Sequence, residues 1–338
     1  MKEFRTELMP SVSASPIGLK ETIFTIGSCF ADAIGDHLTE NKFNVWNNRL
    51  GTVYNPSSIH RLLLLALENK LPSIESYLQN EGVYFNYNFH SAQSALNLQE
   101  LEDKIKTSIE KVNEFLRKAN RIIITYGTAF IYRLKSNNEI VANCHKVPSV
   151  NFTKSLLKEI EIIESFQNFY SKLKSINPNS KIILTVSPVR HLKDTLELNA
   201  VSKSILRLSC HSIVNQFSDV EYFPAYEILL DDLRDYRFYK TDRLHPTEEA
   251  IEYIWEKFVA AYLDKPSQQF TQNWREISRD LAHKPFYSES LNHQQFLKSV
   301  LVKLDKLNSI IDVSAEIQDV KSQIVSITNP VTRIQHVQ

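Results

Sequence analysis

Five short segments rich in β-branched and aromatic residues, near 21–27, 43–49, 121–127, 181–188 and 220–226, alternate with stretches of helical apolar spacing. No other feature of the chain constrains its fold as strongly. Runs such as Arg121-Ile-Ile-Ile-Thr-Tyr-Gly127 have almost no polar face, which suits strands covered on both sides. Parallel strands need a crossover between them, and helical patterns at about 30–41, 56–69, 98–119, 153–176, 194–217 and 246–263 supply it. The prediction is an α/β domain over 1–264 with a parallel five-stranded sheet between two helical layers. An insertion at about 70–119 follows the second strand. Residues 129–143 pattern as a β-hairpin around Ser136-Asn-Asn138, whose asparagines tolerate positive φ. Closing that hairpin would carry Asn143-Cys-His145 back toward Gly127.

Beyond residue 264 the pattern changes. Over 293–327, apolar residues such as Leu297, Val300, Leu304, Leu307, Ile317 and Val320 recur at helical intervals. Residues 265–338 therefore read as a helical C-terminal extension. Its apolar stripe either docks on the α/β domain or joins two copies of the chain as a homo-oligomer.

Lys plus Arg and Asp plus Glu both number 39, and no long basic run occurs, which disfavours nucleic acid or an anionic membrane as partner. The longest apolar run, Leu62 to Leu67, is far short of a membrane span, and the first residues lack a signal-peptide core. Three cysteines, Cys29, Cys144 and Cys210, have no zinc-ligand spacing. A reducing, cytoplasmic setting is the expectation. With six glycines and no G-x-G-x-x-G or P-loop pattern, nucleotide enzymes of those types are also disfavoured.

The chemistry concentrates at predicted strand ends. Open parallel sheets place their sites beyond the carboxyl ends of the strands, and Gly27, Gly51 and Gly127 lie at or just past such ends. Ser28, between the first strand and its helix, reads either as a helix cap or as a displayed nucleophile. Near the other end of the domain, Asp242-Arg-Leu-His245-Pro246 spaces a carboxylate three residues before an imidazole. That spacing lets a compact loop hold the carboxylate against the ring and fix its tautomer, the arrangement a general base needs. A surface turn is the alternative reading. The two motifs fall on the same sheet edge.

With these motifs the chain resembles the GSCFA family, a branch of the SGNH (GDSL-like) hydrolase superfamily, over about residues 20–260. The likeness rests on Gly27-Ser-Cys-Phe-Ala31, Gly51-Thr-Val-Tyr-Asn-Pro56, Gly127-Thr-Ala-Phe130, Asn143-Cys-His-Lys146, Tyr222-Phe-Pro224 with Asp235-Tyr-Arg-Phe-Tyr239, and Asp242 to Pro246. It implies a flavodoxin-like three-layer α/β/α fold and a metal-independent serine ester hydrolase needing no cofactor. Ser28 would be the nucleophile, His245 the base and Asp242 its orienter. The implied oxyanion hole is the N–H of Ser28, the N–H of Gly51 and a third donor; Ala129 stands where the superfamily has Asn, so Asn143 is the candidate substitute. The implied substrates are esters of small molecules or carbohydrates. Acyl transfer on the same triad is an alternative, and a non-catalytic binding module that keeps the fold is another. Weaker candidates for substrate contact are Gly127, Thr128, His145, Arg190, His191 and His90. Cys29 and Cys144 read as core packing, and the aromatic cluster around Tyr84, Phe85, Tyr87 and Phe89 as either insertion core or a cleft wall.

Overall fold

A computed structural model describes residues 6–324. Its elements in chain order begin with β1 (Thr22–Gly27), α1 (Cys29–Glu40), β2 (Asn44–Asn47) and α2 (Pro56–Glu68). The insertion then forms a small hairpin of β3 (Tyr77–Asn80) and β4 (Val83–Asn86), followed by α3 (Leu98–Leu116) and β5 (Arg121–Tyr126). Next come β6 (Phe130–Leu134), β7 (Ile140–Val141), β8 (Phe152–Leu156), α4 (Glu159–Ile176), β9 (Lys181–Val186) and α5 (Thr195–Gln216). The domain closes with β10 (Val220–Phe223), the short turn α6 (Ala225–Glu227) and α7 (Glu248–Tyr262).

All five expected strands form one sheet of order β10-β9-β5-β1-β2, and every pairing is parallel. This is the flavodoxin-like order, in which the chain reverses direction across the sheet beside β1. Alternate residues of each strand feed two cores. Phe24, Ile124 and Leu184 pack with Leu63 of α2, Ile105 of α3, Phe166 of α4 and Leu206 of α5. Ile23, Ile123 and Ile183 pack with Phe30 and Ile34 of α1 and Phe258 of α7. The result is the three-layer α/β/α architecture, with its site-bearing edge at the carboxyl ends of the strands.

Two local departures matter for the site. The stretch 153–176, predicted helical throughout, begins with strand β8, and the helix starts only at Glu159 with Glu161 accepting from the Lys158 N–H. Strand β8 pairs antiparallel with the whole of β6, from Phe130↔Leu156 to Leu134↔Phe152. The 129–143 hairpin pairs only at Tyr132↔Val141 and Arg133↔Ile140. The chain therefore does not run back along β6 to Gly127: β7, on the edge of β6 opposite β8, ends at Val141, and the N–H groups of Ala142 and Asn143 turn to Tyr87 O instead.

His60 is one buried group that gives the domain's stability a pH dependence. His60 of α2 is fully enclosed, with Nδ1 2.7 Å from Ser165 Oγ, Nε2 2.7 Å from Tyr126 Oη, and its ring stacked on Phe169. Burial pushes its pKa down to about 3 from an ordinary 6.5. The folded chain thus refuses a proton that the unfolded chain takes up below pH 6.5, and stability is lost as pH falls toward 3. The slope from this histidine is about 1.4 kcal/mol per pH unit. We expect the urea midpoint to fall between pH 7 and pH 5 and to fall less steeply in His60→Phe. Parallel profiles for the two proteins would contradict this assignment.

The chain divides into two compact units after Ser267. In the second, helices α8 (Leu291–Leu307) and α9 (Ser314–Gln323) pack through Leu297, Val300, Leu304, Ile317 and Val320, the residues of the predicted apolar stripe. Residues 325–327 of that stretch lie outside the described residues. Among the described residues no helix is long and apolar enough to cross a membrane.

Candidate active site

The turn after β1 is dictated by its glycine. Gly27 has φ +141°, and a Cβ placed there would lie 2.1 Å from Thr125 O of β5. Only glycine lets β1 end this close to β5 and still turn into α1. Ser28 follows as the N-cap of α1, fully buried, with Oγ accepting from the Phe30 N–H at 3.4 Å. Asn48, just past β2, braces this turn. Its Oδ1 accepts the Gly27 N–H at 3.2 Å, and its Nδ2 donates to Asp32 Oδ1 at 3.0 Å. Gly127 sits against the other side, since a Cβ there would meet Ser28 Cβ and Tyr54 at 3.2 Å.

The Asp242–His245 loop lies between β10 and α7. Asp242 Oδ1 accepts the N–H groups of Leu244 at 2.8 Å and His245 at 3.0 Å, and Oδ2 lies 2.7 Å from His245 Nδ1. The Leu244 N–H first, then the His245 ring and the His245 N–H, hold the Asp242 carboxyl well below the usual carboxylate range. An ionised carboxylate accepts only, so Nδ1 carries the proton and Nε2 is left as the basic nitrogen. His245 opens onto a cavity of ≈ 370 Å³ whose other wall is the first turns of α1, including Cys29, Asp32 and Asp36.

Cys29 stands beside the serine, but burial first and Asp32 second push its thiol pKa up. A thiol so placed is not an activated nucleophile. Cys144 is raised by burial as well.

The expected oxyanion donors are otherwise engaged. The Ser28 N–H donates to Thr125 O at 3.1 Å and the Gly51 N–H to Asn48 O at 2.9 Å. Gly51 has φ +84°, and a Cβ there would collide with His90 Cβ at 2.6 Å, so this glycine lets the insertion close over the rim. Asn143 donates from Nδ2 to Ser91 Oγ at 3.2 Å and accepts the His145 N–H at 2.9 Å. Its place beside Gly127, expected from the hairpin, is corrected: the pull of Tyr87 O ties it to the insertion.

The weaker candidates separate by role. His145 is buried, stacked on Phe85, with Nε2 on Asn86 O at 2.9 Å and Nδ1 on Ser91 Oγ at 3.2 Å, and burial lowers its pKa. Tyr87 and Phe152 form a small core with Leu134 and Val141, and Phe89 joins the main core, so these aromatics pack inward. Thr128 Oγ1 pairs with Ser202 Oγ at 3.0 Å, while the Gly127 and Thr128 N–H groups both reach Tyr54 O. Arg190 braces the histidine loop: its guanidinium lies 3.9 Å over the Tyr239 ring, and its N–H donates to Leu244 O. His90 Nδ1 accepts from Ala92 N–H at 3.2 Å.

His191 does reach the rim. Its ring meets Tyr54 edge-on at 5.4 Å, and burial, Lys203 and His245 push its pKa down to about 3. Its Nε2 is buried without a hydrogen-bond partner among the described residues. Asp32, Asn48 and Tyr54, which shape the serine turn, were not singled out in the sequence. The Asn47-Asn48 pair at the end of β2 is the one available signal, because asparagine tolerates the left-handed φ of +41° that Asn48 adopts. Among the described residues no group of three or more His, Cys, Asp or Glu could hold a metal ion.

A flavodoxin-order sheet with a helix-capping serine after its first strand and an aspartate–histidine loop after its last defines a three-layer protein of the SGNH fold. More closely, the chain belongs to the GSCFA family. The family's model matches residues 22–258, and that of the GSCFA domain protein, C-terminal domain, matches 274–326. No curated protein matches the chain. Among solved structures, a carbohydrate esterase family 3 protein from Talaromyces cellulolyticus aligns over 76% of this chain and 99% of its own, at 8% identity and TM-score 0.36. An acetyl xylan esterase from the rumen bacterium Butyrivibrio proteoclasticus aligns over 73% of this chain and 64% of its own, at 12% identity and TM-score 0.37. A family two carbohydrate esterase from Clostridium thermocellum aligns over 73% and 65%, at 12% identity and TM-score 0.35.

Proposed function

We propose that the chain is a serine ester hydrolase in which Ser28, His245 and Asp242 act together. The observation that carries this reading is the Asp242–His245 pair at 2.7 Å, set on a cavity whose opposite wall is the helix turn that Ser28 begins. Ser28 Oγ attacks the ester carbonyl carbon while His245 Nε2 takes its proton. To do so Oγ gives up the Phe30 N–H, a bond that is weak at 3.4 Å. Asp242 remains ionised and stabilises the imidazolium, which then returns the proton to the departing alcohol. Water, activated by the same nitrogen, releases the acid from Ser28.

The N-terminus of α1 directs positive potential at the attacked carbonyl. The N–H groups of Ser28 and Gly51 and the Asn143 amide contribute only by exchanging Thr125 O, Asn48 O and Ser91 Oγ for the oxyanion. The reading takes small O-acyl esters, carbohydrate esters among them, as the substrate class.

Hydrolysis of a short-chain aryl ester in the presence of EDTA tests it. Activity should persist, and Asp242→Asn should lower kcat by about 10²–10⁴ through the wrong tautomer, with KM little changed. Loss of activity in EDTA with recovery on adding a divalent metal would make Asp242 and His245 ligands instead.

A further inference from the structure

Helix α5 turns three polar side chains inward near its start. Asn199 Oδ1 accepts the His191 N–H at 2.9 Å, and Ser202 Oγ accepts the Ala129 N–H at 2.8 Å. Lys203 Nζ donates to Gly127 O and to Ser187 O, both at 2.7 Å. Lys203 is 1% exposed, and among the described residues it has no carboxylate partner. Burying an ammonium on two neutral carbonyls is costly, and removing it would take this donor from both backbone acceptors. Burial lowers its pKa to about 7.

The two carbonyls belong to the two halves of the site. Gly127 is the first residue past β5 and abuts Ser28. Ser187 is the first residue past β9, and its loop runs on through Val189, which lines the cavity with His245, to Arg190, whose N–H holds Leu244 O. One side chain thus ties the support of the nucleophile to the support of the base. We propose that Lys203 is a positioning residue that sets the spacing between Ser28 and His245 by holding the ends of β5 and β9 together. The inference rests on the serine-hydrolase reading above and adds to it a residue that touches neither substrate nor triad.

The test compares wild type, Ser28→Ala, Lys203→Met and Lys203→Arg in aryl-ester kinetics and in the rate of labelling by a fluorophosphonate, with circular dichroism as the fold control. A misplacement of the nucleophile against its base by a fraction of an ångström should cost Lys203→Met about 30-fold or more in kcat and in labelling rate, with KM within about threefold of wild type. Lys203→Arg, which keeps the charge and the donors, should recover part of both rates. Should Lys203→Met fail to fold, Lys203→Gln, which keeps one donor, takes its place. A folded Met or Gln variant with kcat and labelling within about twofold of wild type would overturn the proposal, as would loss of folding in both, which would assign Lys203 to core stability. Failure of the parent reading looks different: wild type itself would neither label nor lose turnover in Ser28→Ala.

Discussion

Ser28→Ala should lower ester turnover by ~10³-fold or more while the protein stays folded. The stability cost should be small, about 1 kcal/mol, because the alanine loses only a weak N-cap bond at the start of α1. The size of the activity loss follows from the site's economy of nucleophiles. Cys29 is next in line along the chain, yet burial and Asp32 keep its thiol protonated, so it does not substitute readily. Turnover and melting curves measured on the same preparation separate the two effects. A folded Ser28→Ala protein with near wild-type turnover would move the chemistry to Cys29 or to an activated water.

Gly27→Ala should act on the fold instead. The added methyl would lie 2.1 Å from Thr125 O, and the φ of +141° is closed to a side-chain-bearing residue. The contact is with backbone in the central pair of strands, so nothing flexible can yield. Strain and overpacking together should remove about 3–5 kcal/mol, enough to leave little folded protein at 37 °C. Denaturant titration or soluble yield reads the effect. A Gly27→Ala protein within about 1 kcal/mol of wild type would mean the β1–α1 turn is far more plastic than its contacts indicate.

What the sequence discloses follows from how local each determinant is. The five strands were legible because segments such as Ile122-Ile-Ile124 are apolar on both faces, a pattern only a covered parallel strand needs. The Asp242–His245 contact was legible because three residues of chain close it without outside help. Strand β8 was not: its inward residues Phe152 and Leu156 are four apart, a spacing that fits a helix turn as well as a strand, and only pairing with β6 decides. Asn143 was misplaced for a related reason. Its position depends on Tyr87 O, a carbonyl in the insertion 56 residues upstream whose availability no local pattern reveals. Lys203 was invisible because a lysine on a helix reads as solvated until the fold shows which face is buried.

If Ser28 is a nucleophile activated by His245, it should react with a serine-directed phosphonylating reagent. Treating the wild-type chain with a fluorophosphonate and locating the adduct by peptide mass spectrometry tests it most directly. A single adduct on Ser28, strongly slowed in His245→Ala, is expected. An adduct on another residue such as Ser91 or Cys29, or a Ser28 that labels equally well without His245, would contradict it.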